Sequence, residues 1–311
     1  SGTSSYLTAV SFLNNDTGIV VGAEVLKTID GGNTWVNQNI LGSEYYMDVI
    51  MIDSLNTYLI GFQAILKTTD AGETWSIYNL INDLYSLTGA SFLDAMNGIA
   101  VGNGISLKTS DGGINWYEYP GNGFGDVSYL SYNTAVATSG NGIRKTTDGG
   151  SSWFQIYDDA VDMARVSFIN ENIGFSCSGS IGWGGLFKTI DGGANWFEVS
   201  RNGITFAVLN SISFCNEYNG VAIGYDSDQT IDVGCVLSTT DGGLNWVKQN
   251  SPTNSFLNFI NCIGENVYVA VGNEGTIIKT TDNGNNWSIK QTGFDYKLNN
   301  CFFINSEFGW V

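Results

Sequence analysis

The sequence predicts an all-β protein, and more narrowly a β-propeller of four-stranded antiparallel blades. One turn motif recurs seven times, with its tryptophans 37 to 50 residues apart, and four short β-like runs fill each interval without helical periodicity. The chain also has 40 Gly but only 2 Pro, which suits many short strands joined by tight turns. We therefore expect seven blades, or eight if the chain continues past Val311.

The repeated turn reads Ser/Thr-x-Asp-x-Gly-x-x-Trp, and its first copy spans residues 28–35. Its Asp can accept backbone N–H bonds, its Gly can take a positive φ, and its Trp can bury a large ring. We interpret all of these positions as structural. The box aspartates are Asp30, Asp70, Asp111, Asp148, Asp191, Asp241 and Asp282, and the box tryptophans are Trp35, Trp75, Trp116, Trp153, Trp196, Trp246 and Trp287.

Three strand-like runs precede the first box, at residues 8–13, 18–22 and 25–28, and a fourth begins at the box Trp. Residues 1–297 are thus expected to form the propeller with its seven modules. Residues 298–311 repeat the opening pair of strands. They are either the start of an eighth module or a ring-closing segment that competes with residues 7–22 for one position.

Charge and composition exclude several classes of function. The chain has 12 Lys plus Arg against 30 Asp plus Glu, a formal charge of −18, which disfavours nucleic acid as a partner. No apolar run is long enough for a membrane helix, so no membrane insertion is expected.

The cysteines do not suggest a metal site. Without any His, and with five Cys that lack C-x-x-C spacing, the usual zinc sites cannot form. Cys262 and Cys301 align with Phe12 and Val10, so both are expected to pack as small apolar residues. An odd count argues against a disulfide framework, although a single disulfide stays open.

The motif resembles the Asp-box, or bacterial neuraminidase, repeat. Its Lys-Thr-Thr-Asp-Gly-Gly-x-x-Trp form at residues 145–153 looks most like the photosystem II assembly and stability factor family and its secreted bacterial relatives. The resemblance implies the fold and says little about function. It also suggests a bacterial protein that is secreted, on the cell surface or periplasmic. Sialidase activity is not implied, because Arg144, Arg165 and Arg201 are the only Arg residues and no Arg-Ile-Pro motif occurs.

The loops after the second and fourth strands of each blade should share one face, opposite the boxes. Two of the second-to-third connections are long, at residues 178–186 and 225–234, and loops on a rigid frame often carry function. Aromatic and acidic side chains there could stack on sugars or hold a peptide. The candidate ligand-binding residues are Tyr45, Tyr85, Tyr119, Asp158, Asp159, Trp183, Arg201, Asp226 and Asp228.

A calcium site is a weaker hypothesis. Asp226, Asp228 and Asp232 offer carboxylates at intervals along one loop, and carboxylates are the oxygen ligands that Ca²⁺ prefers. Their spacing is not that of an EF-hand loop. We otherwise expect no metal and no cofactor.

These observations favour a non-catalytic extracellular binding or assembly scaffold that presents its loops to a protein, peptide or glycan. Without His, the commonest general base and the Ser/His or Cys/His nucleophiles are missing, so no catalytic residue is assigned. Two alternatives stay open: a glycan-processing hydrolase with paired Asp/Glu carboxylates near the central channel, and an adhesin or structural spacer.

Overall fold

The computed structural model describes residues 3, 5–40, 45–80, 85–121, 123–158, 163–178, 185–199, 207–226 and 233–311. These residues form β-strands and turns and contain no helix. No segment among them therefore qualifies as a membrane-spanning helix. The strands assemble into seven consecutive four-stranded antiparallel sheets. This is the composition of a seven-bladed β-propeller, so the predicted fold class is confirmed.

Each blade consists of four strands that are consecutive in sequence and paired in that order. The strands of blades 1 to 4 are β1 (Leu7–Phe12), β2 (Gly18–Gly22), β3 (Val25–Thr28), β4 (Val36–Asn37), β5 (Tyr46–Met51), β6 (Thr57–Gly61), β7 (Ala64–Thr68), β8 (Ser76–Asn79), β9 (Ser86–Phe92), β10 (Gly98–Asn103), β11 (Ile105–Thr109), β12 (Tyr117–Pro120), β13 (Phe124–Ser131), β14 (Thr134–Ser139), β15 (Gly142–Thr146) and β16 (Phe154–Asp158).

Blades 5 to 7 follow the same pattern, and one further pair of strands ends the chain. These strands are β17 (Met163–Phe168), β18 (Gly174–Ser178), β19 (Leu186–Thr189), β20 (Phe197–Glu198), β21 (Ala207–Phe214), β22 (Gly220–Asp226), β23 (Val233–Thr239), β24 (Val247–Gln249), β25 (Leu257–Gly264), β26 (Val267–Gly272), β27 (Thr276–Thr280), β28 (Ser288–Gln291), β29 (Phe302–Phe303) and β30 (Gly309–Trp310).

Two compact units divide these residues. The first unit comprises residues 1–137 and 145–154 together with Trp310, and the second comprises residues 138–144 and 155–309 together with Val311.

The repeated box closes the turn between the third and fourth strands through a fixed set of hydrogen bonds. In blade 1 the Thr28 hydroxyl donates to Asp30 (2.8 Å) and accepts from the Gly32 N–H (2.8 Å). The other carboxylate bonds come from the backbone and hydroxyl of Thr34, at 2.9 and 2.6 Å. Gly32 has a φ of +83°, where a Cβ would be strained. The backbone bond to the carboxylate recurs in the other six boxes, where a hydroxyl or an Asn amide supplies the side-chain bond. These bonds support the structural interpretation of the motif.

In four blades the box Trp packs edge to face against a Phe that ends the first strand. In blade 1 the rings of Phe12 and Trp35 meet edge to face at 5.9 Å, and Phe12 also covers Gly18, where a Cβ would lie 2.4 Å from the ring. Trp116, Trp196 and Trp246 are buried, and the other four box rings are half-buried. The predicted burial is therefore complete in three boxes and partial in four.

Neighbouring blades are joined by a lysine that precedes the box Thr. Lys27 of blade 1 donates to the carbonyl of Ala71 in the second box, and Lys67 donates to Gly112 in the third. Lys188 of blade 5 likewise donates to Gly242 in the sixth box at 2.6 Å. The lysine ammonium thus satisfies a turn carbonyl of the next blade.

At the other end of the blades, a bulged residue in the first strand links one blade to the next. Thr8 lies at the register shift of β1 and donates to the carbonyl of Tyr46 in blade 2, at 2.7 Å. In blade 6 the Asn210 amide donates to the carbonyl of Leu257 in blade 7, at 2.8 Å. These bonds position the first strands of adjacent blades.

Cys262 packs against a buried apolar cluster as expected, but it also forms a disulfide with Cys215, the single disulfide that the sequence had left open. Cys215 directly follows the first strand of blade 6. Cys262 lies in the first strand of blade 7, at the position that Phe12 has in blade 1. Cys301 is buried, as are Cys177 and Cys235, and Cys301 thus packs as predicted.

The C-terminal strands do not displace the N-terminal copy. Residues 7–22 remain in blade 1, whereas β29 and β30 form a separate two-stranded sheet. Phe303 covers Gly309 just as Phe12 covers Gly18. The Asn258 amide of blade 7 donates to the carbonyl of Leu298 at 2.9 Å. This segment therefore follows the pattern of an opening strand pair.

Trp310 of the first unit repeats a contact found between full blades. Its ring stacks on Phe12 at 3.4 Å, and its indole N–H donates to the carbonyl of Gly31 at 3.0 Å. Tyr58 of blade 2 makes the equivalent contacts with blade 3, stacking on Phe92 at 4.3 Å and donating to a box carbonyl at 2.7 Å. Trp310 thus occupies the position of a second-strand residue from an adjoining blade.

We predict that Asp148→Ala lowers the free energy of unfolding by about 2 kcal/mol, because the turn loses charge-assisted hydrogen bonds. Circular dichroism melting should show a Tm lower by roughly 2 to 4 °C, with ligand affinity nearly unchanged. The exposed residue Asp295 provides the control variant, Asp295→Ala. Loss of binding with an unchanged Tm would contradict the structural interpretation.

The boxes should also make the fold sensitive to acid. Hydrogen bonds from Thr74 and Thr68 lower the pKa of Asp70 from 3.8 to about 2. In the fifth box burial raises the pKa of Asp191, but bonds from Asn195 and Thr189 outweigh it and hold the pKa at about 2. A lowered folded-state pKa stabilises the fold above the unfolded value and loses this effect as the pH falls through the folded value.

We therefore expect Tm to drop steeply between about pH 4 and pH 2. Asp70→Asn should lower Tm at neutral pH and flatten the acid dependence, since one titrating group is gone. An acid dependence identical to that of the wild type would show that the box carboxylates do not control it.

Candidate ligand-binding face

The blades have two chemically different ends. At one end the first strand begins, the second strand ends and the third begins; we call this end the loop face. In blade 1 it carries Tyr6, just before β1, and Glu24, in the turn between β2 and β3. Because neighbouring strands are antiparallel, the Asp box at the end of β3 lies at the opposite end.

Five of the predicted binding residues fall on described parts of this face. Tyr45, Tyr85 and Tyr119 are half-buried, Asp158 is exposed at the end of β16, and Asp226 is buried at the end of β22. The remaining four, Asp159, Trp183, Arg201 and Asp228, lie outside the described residues, as does the third calcium candidate, Asp232.

In the first unit, aromatic residues from neighbouring blades meet on the loop face. The rings of Tyr6 and Tyr45 lie 6.1 Å apart with an interplanar angle of 22°. The carbonyl of Tyr45 accepts the N–H of Phe62 at 3.1 Å, which places Phe62 beside it. Burial and the neighbouring Tyr6 raise the pKa of Tyr45 above its usual value. In blade 3 the ring of Tyr85 lies over Gly104.

The second unit has aromatic pairs of its own. Tyr225 and Phe256 stack at 4.3 Å and 11°, and Phe294 and Tyr296 stack at 6.3 Å. Phe294 and Tyr296 are 66% and 72% exposed. Sequence reasoning missed all of these except Tyr225, which it placed only in a long loop.

A signal for two of the missed residues was present in the repeat. Tyr6, Tyr45 and Phe256 all immediately precede the residue that pairs with the last Gly of the second strand. Alignment of the repeats at this position would have shown that an aromatic residue recurs there.

A serine and a glutamate accompany this aromatic position in two blades. The Ser5 hydroxyl donates to Glu24 at 2.9 Å, and the Ser255 hydroxyl donates to Glu274 at 2.8 Å. These bonds fix a carboxylate beside Tyr6 in the first unit and beside Phe256 in the second. The loop face thus combines aromatic rings with negative charge.

Asp226 has a structural partner. Its side chain is only 7% exposed and forms an ion pair with Lys248 of β24. Burial raises the pKa of the neighbouring Cys235 to about 11, so that thiol stays protonated at neutral pH. The ion pair links the end of β22 to β24.

The described residues contain no group of three or more Cys, Asp or Glu side chains gathered to hold a metal ion. The calcium hypothesis for Asp226, Asp228 and Asp232 stays a prediction. The described part of the face offers aromatic rings that can stack, carboxylates that can pair with positive charge, and turn carbonyls and amides that can form hydrogen bonds.

The fold and its boxes define an Asp-box β-propeller. More particularly, the model of the family "Photosynthesis system II assembly factor YCF48" matches residues 2–117. The predicted resemblance is thereby confirmed over this part of the chain. No curated protein matches the sequence.

Solved structures with the same fold extend over nearly the whole chain. YCF48 from Cyanidioschyzon merolae is 19% identical with a TM-score of 0.65, covering 90% of this chain and 96% of that one. A structure titled "YCF48 bound to D1 peptide" is 18% identical with a TM-score of 0.62, covering 99% and 90%. A GH74 enzyme from Niastella koreensis is 14% identical with a TM-score of 0.61, covering 94% and 67%. At such identities the similarity shows the fold alone.

We predict that Lys248→Met lowers the free energy of unfolding by about 2 kcal/mol, because it leaves the buried Asp226 carboxylate without its ammonium partner. The double variant Asp226→Asn/Lys248→Met should recover most of this loss in a urea titration. Lys290→Met, at an exposed position of β28, is the matched control. Equal effects of Lys248→Met and Lys290→Met would show that the ion pair contributes little.

Proposed function

We propose that this protein is a non-catalytic binding and assembly scaffold that holds a peptide or protein segment on its loop face. The observation that carries the proposal is the solved YCF48 with a bound D1 peptide, whose fold extends over 99% of this chain. The family match at residues 2–117 supports it, because those residues include the aromatic side chains of blades 1 and 2.

The loop face suits this function physically. Rigid four-stranded blades hold its residues in place, so little conformational entropy is lost when a partner binds. Tyr and Phe side chains offer large contact areas with few rotatable bonds, and they are enriched in protein interfaces for that reason. The same residues would also suit a glycan, so the choice between peptide and glycan is made by experiment.

We further propose an extracytoplasmic location: secreted, on the cell surface or periplasmic. The disulfide between Cys215 and Cys262 supports this, since disulfides persist in oxidising compartments and are rare in the reducing cytosol. Its two cysteines are 47 residues apart. Because they lie in or directly after the first strands of successive blades, the disulfide joins blade 6 to blade 7.

A selection from a random peptide library displayed on phage tests the proposed function. We expect a converged set of peptides whose dissociation constants, measured with purified protein, are in the micromolar range that is typical of transient recognition. Xyloglucan and other polysaccharides should show no release of reducing ends above a blank without protein.

Two variants test whether the peptides bind to the loop face or to the box end. Tyr119→Ala should weaken the selected peptides, whereas Ile114→Ala, at an exposed position of the third box, should leave their affinity unchanged. Hydrolysis of a polysaccharide that disappears in Asp158→Asn would favour the glycan-processing alternative instead.

A further inference from the structure

Four aromatic residues of the first unit lie on the loop face of three neighbouring blades. We define the patch as Tyr6, Tyr45, Phe62 and Tyr85. Tyr6 stacks on Tyr45 at 6.1 Å, and the backbone of Phe62 bonds to the carbonyl of Tyr45 and to the N–H of Leu87, both at 3.1 Å. These bonds bring residues of three blades together, since Tyr85 lies two positions before Leu87.

Two of the four patch residues are exposed to solvent. Tyr6 is 50% exposed and Phe62 is 49% exposed. Large aromatic side chains that are exposed on the same face are typical of an interaction surface. Tyr45 and Tyr85 are half-buried, and the ring of Tyr85 lies over Gly104.

The positively charged residues of the first unit lie away from the patch. The first unit contains no Arg and four Lys, and three of these, Lys27, Lys67 and Lys108, donate to box carbonyls at the opposite end of the blades. The fourth, Lys145, precedes its box Thr in the same position. The lysines of the first unit are thus placed at the box end.

Negative charge, in contrast, is held beside the patch. Glu24 accepts a hydrogen bond from Ser5, the residue before Tyr6, which keeps its carboxylate next to the exposed ring. The net charge of −18 adds a long-range attraction for cations. An anionic partner would meet repulsion here without any Lys or Arg to offset it.

We infer that the patch binds an extended peptide segment that carries Arg or Lys side chains. Guanidinium and ammonium groups are attracted to the faces of aromatic rings, and the carboxylate of Glu24 supplies the opposite charge. This inference rests on the proposed function and specifies the chemistry of the partner: a basic segment on blades 1 to 3.

A fluorescence anisotropy titration tests the inference. The probe is a labelled peptide of alternating Ser and Arg, about ten residues long, which when extended reaches across neighbouring blades. Two matched peptides replace every Arg by citrulline or by Glu. Salt at about 0.15 M limits the Debye length to about 8 Å and so suppresses attraction from distant charges.

We expect the Arg peptide to bind and the citrulline and Glu peptides to bind at least about tenfold more weakly. Tyr6→Ala/Phe62→Ala should weaken the Arg peptide by about tenfold, and Glu24→Gln by a smaller factor. The control Tyr117→Ala/Tyr132→Ala removes two equally exposed rings of the same unit and should change the affinity less than about twofold. Melting curves of each variant verify that it is folded.

Three results would overturn the inference: no binding of the Arg peptide, equal binding of the citrulline peptide, or equal weakening by the patch variant and the control. If library-selected peptides bind while the Arg peptide does not, the proposed function stands and only the basic partner is wrong. If neither binds, both proposals fail.

Discussion

The hydrogen bonds of the box carboxylate are the interaction on which the rest of the structure depends. Asp30 and its six counterparts tie the third strand to the fourth by accepting bonds from both sides of one turn. This fixes where the box Trp enters the blade and where the turn carbonyls point. The Phe that meets the Trp edge to face, the Gly beneath that Phe, and the lysine from the preceding blade all take their positions from this turn.

The same constraint determines where the lysines of the first unit lie. Turn carbonyls at the box end need donors, and lysines such as Lys27 and Lys188 supply them. Cations used in this way are withdrawn from the loop face, which keeps carboxylates such as Glu24 and Glu274 beside aromatic rings. A structural requirement at one end of the blades thereby shapes the chemistry available for recognition at the other.

The fold is shared by proteins of different activity, including YCF48 and a GH74 enzyme, so function has to be argued from the loop face. There the described residues offer stacking surfaces and hydrogen-bonding carboxylates. Asp226, the acidic candidate at the end of β22, is occupied by Lys248. These features favour recognition over catalysis and give the proposed peptide partner a physical basis.

The sequence alone determined the all-β class and the seven box modules, because the repeated motif is read directly from eight-residue segments. It predicted the structural role of the Thr, Asp, Gly and Trp of each box, since their hydrogen bonds are local. It also placed Tyr45, Tyr85 and Tyr119 on the face opposite the boxes, since strand direction alternates. Tertiary structure decided the rest. Cys215 and Cys262 form a disulfide only because adjacent blades bring them together, and Tyr6 meets Tyr45 for the same reason. Trp310 packs on Phe12 although the two residues lie near opposite ends of the sequence. Such contacts join positions far apart in sequence, so no local pattern specifies them.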